Sequence, residues 1–575
     1  MARHRTSGGD AGGAELTTRR EFLEIAAAAA AIAPGGWPRA FAQQRLSQAD
    51  LLSFDGLGNV TLVHIADLHA QLVPVYFREA AVNIGVGEAR GQVPHLTGAA
   101  LLERYGIPPA SAAAYALSPD DFTALAKAYG RMGGLDRIAT VLEAIRAERG
   151  EKVVFLDGGD TWQNSYTSLV TKGQDMVDCM AMLRPDAMVG HWEFTLGADR
   201  IKELTQSLSF PFLGLNVRDA EWNEPVFPAS TMLVRGGVKI AVLGQAYPYT
   251  PIANPRWMIP NWSFGIREGE VRAEVEKARA AGAELVVLLS HNGFDVDRKL
   301  AGRVAGIDVV LTAHTHDALP AVVKVGRTLL IASGSHGKFL SRLDLDVRGG
   351  EVIDYRYKLI PIFADVIAPA PAVAARIATV RAPHLAHLGE VVGRAGALLY
   401  RRGNFNGTLD DVICDALLAE RDAEIALSPG VRWGASLLPG QPITREDIYN
   451  ATAITYPVAY RTTMSGARLK EILEDVADNL FNPDPYYQQG GDMVRVGGIA
   501  YTVDVAQPMG RRISQLRLLR TGMAIDPDRD YVAAGWGSVN EDTQGPPIWD
   551  VVANYIAARG EVAPMASGHV RVVGG

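Results

Sequence analysis

Five short phrases in this 575-residue sequence carry ligand chemistry: Asp67-Leu68-His69, Gly159-Asp160, His191, His291-Asn292 and His314-Thr315-His316. Together they offer two carboxylates and five imidazoles. That is too many donors for one ion and suits two. A mixed oxygen and nitrogen set without thiolate fits manganese, iron or zinc rather than a soft-ligand metal. A shared carboxylate could hold two ions about 3.5–4 Å apart, and Asp160 is the candidate bridge. Any one of these phrases alone reads as readily as a core or capping residue. Their force lies in the ordered set, each at the C-terminal end of an apolar run, where open α/β sheets gather their sites. His64 lies inside such a run and is predicted to pack in the core.

The runs that must position these ligands are 60–66, 153–156, 187–189, 238–243, 285–289 and 309–311, all read as buried strands. Amphipathic patterns at 137–149 and 271–281 predict helices between them. The fold class is therefore α/β, mixed with α+β features: a layered β-sandwich flanked by helices. Residues 70–130, rich in Pro, Ala and Tyr, form a long insertion of the kind that carries function or covers a site. The Pro- and Ala-rich stretch 361–383 reads as a connector with a helix inside it. Beyond it a smaller α/β domain is expected, with helices at 409–418 and 466–479 and strands at 494–505 and 513–519. The division is then 1–42 leader, 43–360 metal-binding domain, 361–387 linker and 388–575 C-terminal domain.

The leader is read from Thr17-Thr18-Arg19-Arg20-Glu21-Phe22-Leu23, a twin-arginine phrase, followed by an alanine-rich run and by Ala40-Phe41-Ala42 at the cleavage position. This predicts export in the folded state to the periplasm. A formal net charge of −8 argues against nucleic acid as a partner. No later stretch is long and apolar enough to span a membrane. Cys179 and Cys414 are expected as two buried free thiols.

The order and spacing of the ligand phrases resemble the calcineurin-like metallophosphoesterases, and the two-part layout resembles their 5′-nucleotidase branch. That resemblance implies Asp67, His69, Asp160 and His316 on one metal and Asp160, His191, His291 and His314 on the other. It also implies a 5′-nucleotidase-type C-terminal domain that binds substrate. Two ligands depart from the family pattern: His191 stands for an Asn and His316 for a Gln. A larger departure follows. Gly190-His191-Trp192-Glu193-Phe194-Thr195 occupies the place of the family's Gly-Asn-His-Glu-Phe-Asp. The His and Asp that protonate a leaving alkoxide are thus Trp192 and Thr195. An indole has only an N–H donor and is no acid at neutral pH. An alkoxide gains some 10²–10⁴-fold from general-acid help, whereas a persulfide can leave as an anion.

Longer phrases, among them Pro74-Val75-Tyr76-Phe77-Arg78-Glu79, Asn83-Ile84-Gly85-Val86-Gly87 and Pro94-His95-Leu96-Thr97-Gly98, are similar to the SoxB thiosulfohydrolases. That resemblance implies two Mn(2+) ions and a hydrolase that releases sulfate from a cysteine S-thiosulfonate on the carrier protein SoxYZ, by hydroxide attack on the terminal sulfonate. On this reading Trp192 forms an apolar wall beside the sulfur–sulfur bond, and Glu193 orients a ligand or a loop. Arg401 and Arg402 are the candidates for holding the sulfonate, with Arg402 near the chemistry. Gly490, Gly491 and Asp492 form the candidate substrate loop. Arg78 and residues 247–262 are candidates for an entry channel. The rival readings are a periplasmic 5′-nucleotidase or cyclic phosphodiesterase, and a non-catalytic carrier-binding subunit.

Overall fold

The computed structural model describes residues 46–564 and 569–574. The twin-arginine phrase and its cleavage site lie outside the described residues. The N-terminal half is built on two sheets. One has the strand order Glu351–Pro361, Phe339–Arg348, Val60–Ile65, Val153–Asp157, Ala187–Met188. The other runs Val323–Val325, Thr328–Ala332, Val309–Thr312, Leu285–Ser290, Val238–Gln245, Ser230–Arg235. The strands that end in ligands pair in parallel within each sheet.

Alternation along the strands explains the layering. Ile240, Val242, Val287, Leu289, Val309 and Leu311 share one core with Leu62, Ile65 and Val154 of the other sheet. Their neighbours Ala241, Leu243, Val286, Leu288 and Val310 pack outward against Val271 and Val275 of the helix Glu268–Ala280 and Phe294 of Phe294–Arg303. Strands covered on both faces read as continuous apolar runs, which is why they stand out in the sequence.

Three features exceed the sequence reading. The strands Phe339–Arg348 and Glu351–Pro361 form a long hairpin, closed by Gly349 and Gly350, both with positive φ (60° and 79°). Two consecutive left-handed residues give the turn twist that hairpins favour. The predicted strand 494–505 divides at Gly498 (φ 76°) into Arg495–Gly497 and Ile499–Asp504, which join different sheets. A Cβ at Gly498 would stand 2.2 Å from the Glu424 carbonyl oxygen, so glycine permits the break. The insertion contains three short helices, Gly98–Tyr105, Ala112–Leu117 and Phe122–Tyr129, and its first part ties both halves of the molecule together. Ser436 N–H donates to Tyr76 O at 2.6 Å, and Ile84 N–H donates to Asn404 Oδ1 at 2.6 Å. On the other side the buried Lys338 ammonium donates to Glu79 Oε1 at 2.5 Å and to the carbonyls of Phe77 and Ala116.

The helix Pro371–Arg381 lies in the connector and packs against Leu135–Arg149 and Gln174–Leu183. Beyond it, the strands Ala459–Ser465, Asp530–Trp536, Ile425–Ser428 and Arg495–Gly497 form one sheet, with the helices Thr408–Glu420 and Ile548–Arg559 packed together beside it. Cys179 and Cys414 are free, buried and in separate cores. Among the described residues no helix is long and apolar enough to cross a membrane.

Candidate metal centre

The ligand phrases converge at the C-terminal ends of their strands. Two groups of potential ligands form, Asp67, His69, Asp160 and His316, and Asp160, His191, His291 and His314, each with its ligand atoms within 4.8 Å of one another. Asp160 belongs to both. Its Oδ2 lies 3.2 Å from His191 Nδ1, 3.1 Å from His291 Nε2 and 3.9 Å from His69 Nε2. Backbone bonds lock the loops together: His69 N–H donates to Asp160 O at 2.8 Å and Asp67 N–H to Gly159 O at 2.9 Å.

Five of the seven residues, Asp67, His69, Asp160, His314 and His316, have positive φ (53°, 50°, 55°, 75° and 59°). A non-glycine residue held there costs about 1–3 kcal/mol, a strain that clusters at functional sites.

The histidines suit metal. His291 Nδ1 contacts Gly158 O at 2.6 Å, and His69 Nδ1 contacts Asn164 Oδ1 at 2.9 Å. Donation from these Nδ1 atoms fixes the tautomer that presents a lone pair on Nε2 to the site. His69 Nε2 and His316 Nε2 face each other at 2.9 Å. His191 Nε2, His314 Nε2 and His316 Nδ1 are buried without a hydrogen-bond partner. Burial holds His191 down at about 4 and lowers His69, His314 and His316, so these imidazoles are neutral, the form that ligates. His291 behaves oppositely: burial opposes its charge, but Asp160 and Asp67 outweigh it and raise it to about 10. A proton there and a metal cation compete for the same carboxylates. The donor set therefore fits a pair of divalent metals.

Glu193 is fully buried. One of its oxygens accepts from the N–H groups of Thr161 (2.6 Å) and Trp162 (3.2 Å), and the other from His191 N–H (2.8 Å). It thereby positions the Asp160 and His191 loops relative to each other. Glu193→Gln turns an NH₂ group toward these donors. We expect it to weaken metal affinity by about 10–100-fold, as is usual when a residue supporting a ligand is replaced. Metal titration of the stripped protein checks this, and unchanged affinity would contradict it.

A cavity of about 180 Å³ opens over the centre, bordered by His69, Asp160, His191, His314 and His316. Its walls are aromatic: Trp192, Tyr247, Trp433, Tyr456 and Trp536. Trp192 stands edge-on to Trp433 (centroids 4.7 Å apart) and parallel to Tyr456 (6.2 Å), while its backbone N–H donates to Asp160 Oδ1 at 2.8 Å. Thr195 Oγ1 is bonded to Trp192 O at 2.7 Å and makes no contact with the metal ligands. Among the described lining residues, every carboxylate and imidazole belongs to the ligand set.

The cation of the cavity is Arg432, which the sequence reading passed over. It donates to His314 O (3.2 Å) and Gly491 O (2.5 Å), and its Nε lies 3.6 Å from Asp492. The two expected arginines stand elsewhere. Arg401 is fully buried, paired with Asp410 at 2.7 Å and bonded to Ala451 O at 2.6 Å. Arg402 bonds Thr315 O at 3.0 Å and lies 3.6 Å from Asp317, bracing the loop between His314 and His316 without reaching this cavity. Gly490 and Gly491 do line the cavity. Asp492 turns inward to Arg495 (2.9 Å) and Asn404 (3.2 Å). Arg78 lies over the Tyr400 ring at 4.2 Å and takes no part in the lining, whereas Tyr247, Ala253 and Asn254 do. Arg432-Trp433 follows the strand Ile425–Ser428 in a Pro-Gly loop, a strand-end position like those of the ligands. His336, also overlooked, stacks on Phe77 (4.0 Å) beside His69 (5.5 Å).

Known proteins place this arrangement. Residues 391–545 match the family described as 5′-nucleotidase, C-terminal domain. The sulfate thiohydrolase SoxB of Thermus thermophilus, solved in complex with glycerol, superposes with a TM-score of 0.87 at 37% identity, covering 91% of this chain and 98% of that one. This chain belongs to the SoxB family. A 5′-nucleotidase precursor, also from Thermus thermophilus, shares the fold (TM-score 0.70, 21% identity, 90% of this chain and 99% of that chain). The 5′-nucleotidase of Mus musculus is 25% identical over 449 residues, 70% of this chain and 75% of its own length. This SoxB-family chain has the fold and donor set of a metal-dependent hydrolase.

Proposed function

We propose that this protein is a dimanganese thiosulfohydrolase that releases sulfate from a cysteine S-thiosulfonate on the carrier SoxYZ. The observation that carries the reading is the pairing of an assembled donor set with a cavity whose only acids and imidazoles, among the described residues, are the ligands themselves. Such a site can hydrolyse a bond whose leaving group departs unprotonated. Asp67, His69, Asp160 and His316 would hold one ion, and Asp160, His191, His291 and His314 the other. When bound, the ions would supply Lewis acidity and activate water at neutral pH.

The protein's own residues divide the remaining work. Arg432 holds the sulfonate by charge-assisted bonds, replacing Arg401 and Arg402 in that role. Trp192, with Trp433 and Tyr456, forms a dry wall beside the sulfur–sulfur bond. Gly490 and Gly491 let the chain approach the substrate closely. Glu193, Arg402 and Asp492 act through their neighbours. In the reaction one water oxygen bonds to the sulfonate sulfur, the S–S bond breaks with its electron pair on the persulfide, and the two water protons are released. The division 43–360, 361–387 and 388–575 would correspond to the metal-binding domain, the connector and the C-terminal substrate-binding domain that carries Arg432. The twin-arginine leader, 1–42, would place the mature protein in the periplasm, where its carrier acts.

The test is turnover of purified, manganese-loaded protein on thiosulfonate-charged carrier, beside AMP and a cyclic nucleotide. Sulfate release without comparable phosphate release is expected. Faster nucleotide turnover would overturn the reading.

A further inference from the structure

A second cavity, of about 50 Å³, adjoins the first, and His314, Arg432, Gly490 and Gly491 line both. The first is walled by aromatic rings. The second is mixed: Asn83, His95, Asn292, Asp295, Asp317 and Gln488 line it beside apolar residues such as Phe294 and Phe481. Asn292 is 1% exposed; its Nδ2 donates to Asp297 at 2.9 Å, and its Oδ1 has no partner. Asp295 leaves Oδ1 unpartnered as well, while its Oδ2 lies 2.7 Å from His95 Nε2. A water needs roughly 10–15 Å³ of such space and two or more polar partners, so this cavity has room for water beside the unpartnered oxygens of Asn292 and Asp295. The shared wall is thin because Gly490 and Gly491 (φ 73° and 76°) carry no side chains, and a Cβ at Gly490 would stand 2.2 Å from His314 Nε2.

The reaction proposed above consumes one water and frees two protons. If the substrate rides on a protein, its arm fills the aromatic cavity during the reaction, and water and protons need another path. The Pro94-His95-Leu96-Thr97-Gly98 phrase has no part in the metal centre, yet His95 lies on this second cavity. We propose that the second cavity is the route by which water reaches the metal centre and protons leave it while a protein-borne substrate occupies the aromatic cavity, with the largely buried His95–Asp295 pair passing protons. This rests on the carrier-borne substrate of the preceding subsection. Burial works against charge on His95, but the bond to Asp295, with Asp317 nearby, raises it above the ordinary imidazole range.

The test compares wild type, His95→Phe and Asn83→Leu in single-turnover sulfate release from two substrates, the charged carrier and a short cysteine-thiosulfonate peptide that leaves the aromatic cavity open beside it. On the carrier, both variants should be slowed about 10²-fold, the low end of the range for a lost proton-transfer group, with an enlarged solvent deuterium isotope effect. On the peptide they should stay within about twofold of wild type, because water and protons can then pass by the aromatic side. Equal slowing on both substrates, or none on the carrier, would overturn the route. Wild-type protein that released sulfate from neither substrate would instead overturn the functional reading beneath it.

Discussion

Asp160→Ala is expected to abolish sulfate release, with a loss of about 10⁴-fold or more, because it removes the carboxylate common to both ligand groups. The same change removes the acceptor for Trp192 N–H and the partner of His191 and His291. Metal content should fall on both sides of the bridge together. Ligands to one ion alone, such as His69 or His314, should strip their own side first. Elemental analysis and sulfate release on the same samples check this. A variant that kept both metals and its activity would show that Asp160 is no bridge.

Arg432→Gln is expected to lower kcat/KM by about 10²–10³-fold while leaving metal content intact, the usual cost of losing one group that stabilises developing negative charge. Arg432→Lys should recover little, since an ammonium cannot reproduce the planar fork that grips a sulfonate. Arg401→Gln should behave differently. It removes one of the two buried arginine partners of Asp410, the other being Arg495 at 3.4 Å, and its signature is a lowered melting temperature. Thermal denaturation beside kinetics on the three variants separates these roles. An Arg401 variant with normal stability and crippled turnover would restore the first assignment.

The difference between Arg401 and Arg432 shows how far the sequence could be read. The ligands were legible because each follows a buried parallel strand, and such strands are continuous apolar runs. The position of Glu193 beside the Asp160 and His191 loops was legible from its place inside the His191 phrase. The placement of the arginines was not, because they lie on loops of the C-terminal part, where spacing carries little geometry. Arg401-Arg402 looks like an anion site, but Arg401 is drawn inward by Asp410, a partner nine residues away on a helix. Arg432 reaches the cavity because the strand Ile425–Ser428 and the insertion residue Tyr76 fix its loop from both sides. The long hairpin and the break at Gly498 escaped for a similar reason. Phe339–Arg348 is buried but interrupted by Ser341, Arg342 and Asp344, its partner Glu351–Pro361 is partly exposed, and a single glycine leaves little trace, whereas an apolar run buried on both faces leaves a strong pattern.

The most direct measurement is a single turnover of manganese-loaded protein on thiosulfonate-charged carrier in H₂¹⁸O, followed by mass analysis of sulfate and carrier. The account predicts one ¹⁸O per sulfate and one persulfide on the carrier for each sulfate formed. Sulfate without ¹⁸O, or a carrier left without persulfide, would contradict hydrolysis at the sulfonate sulfur.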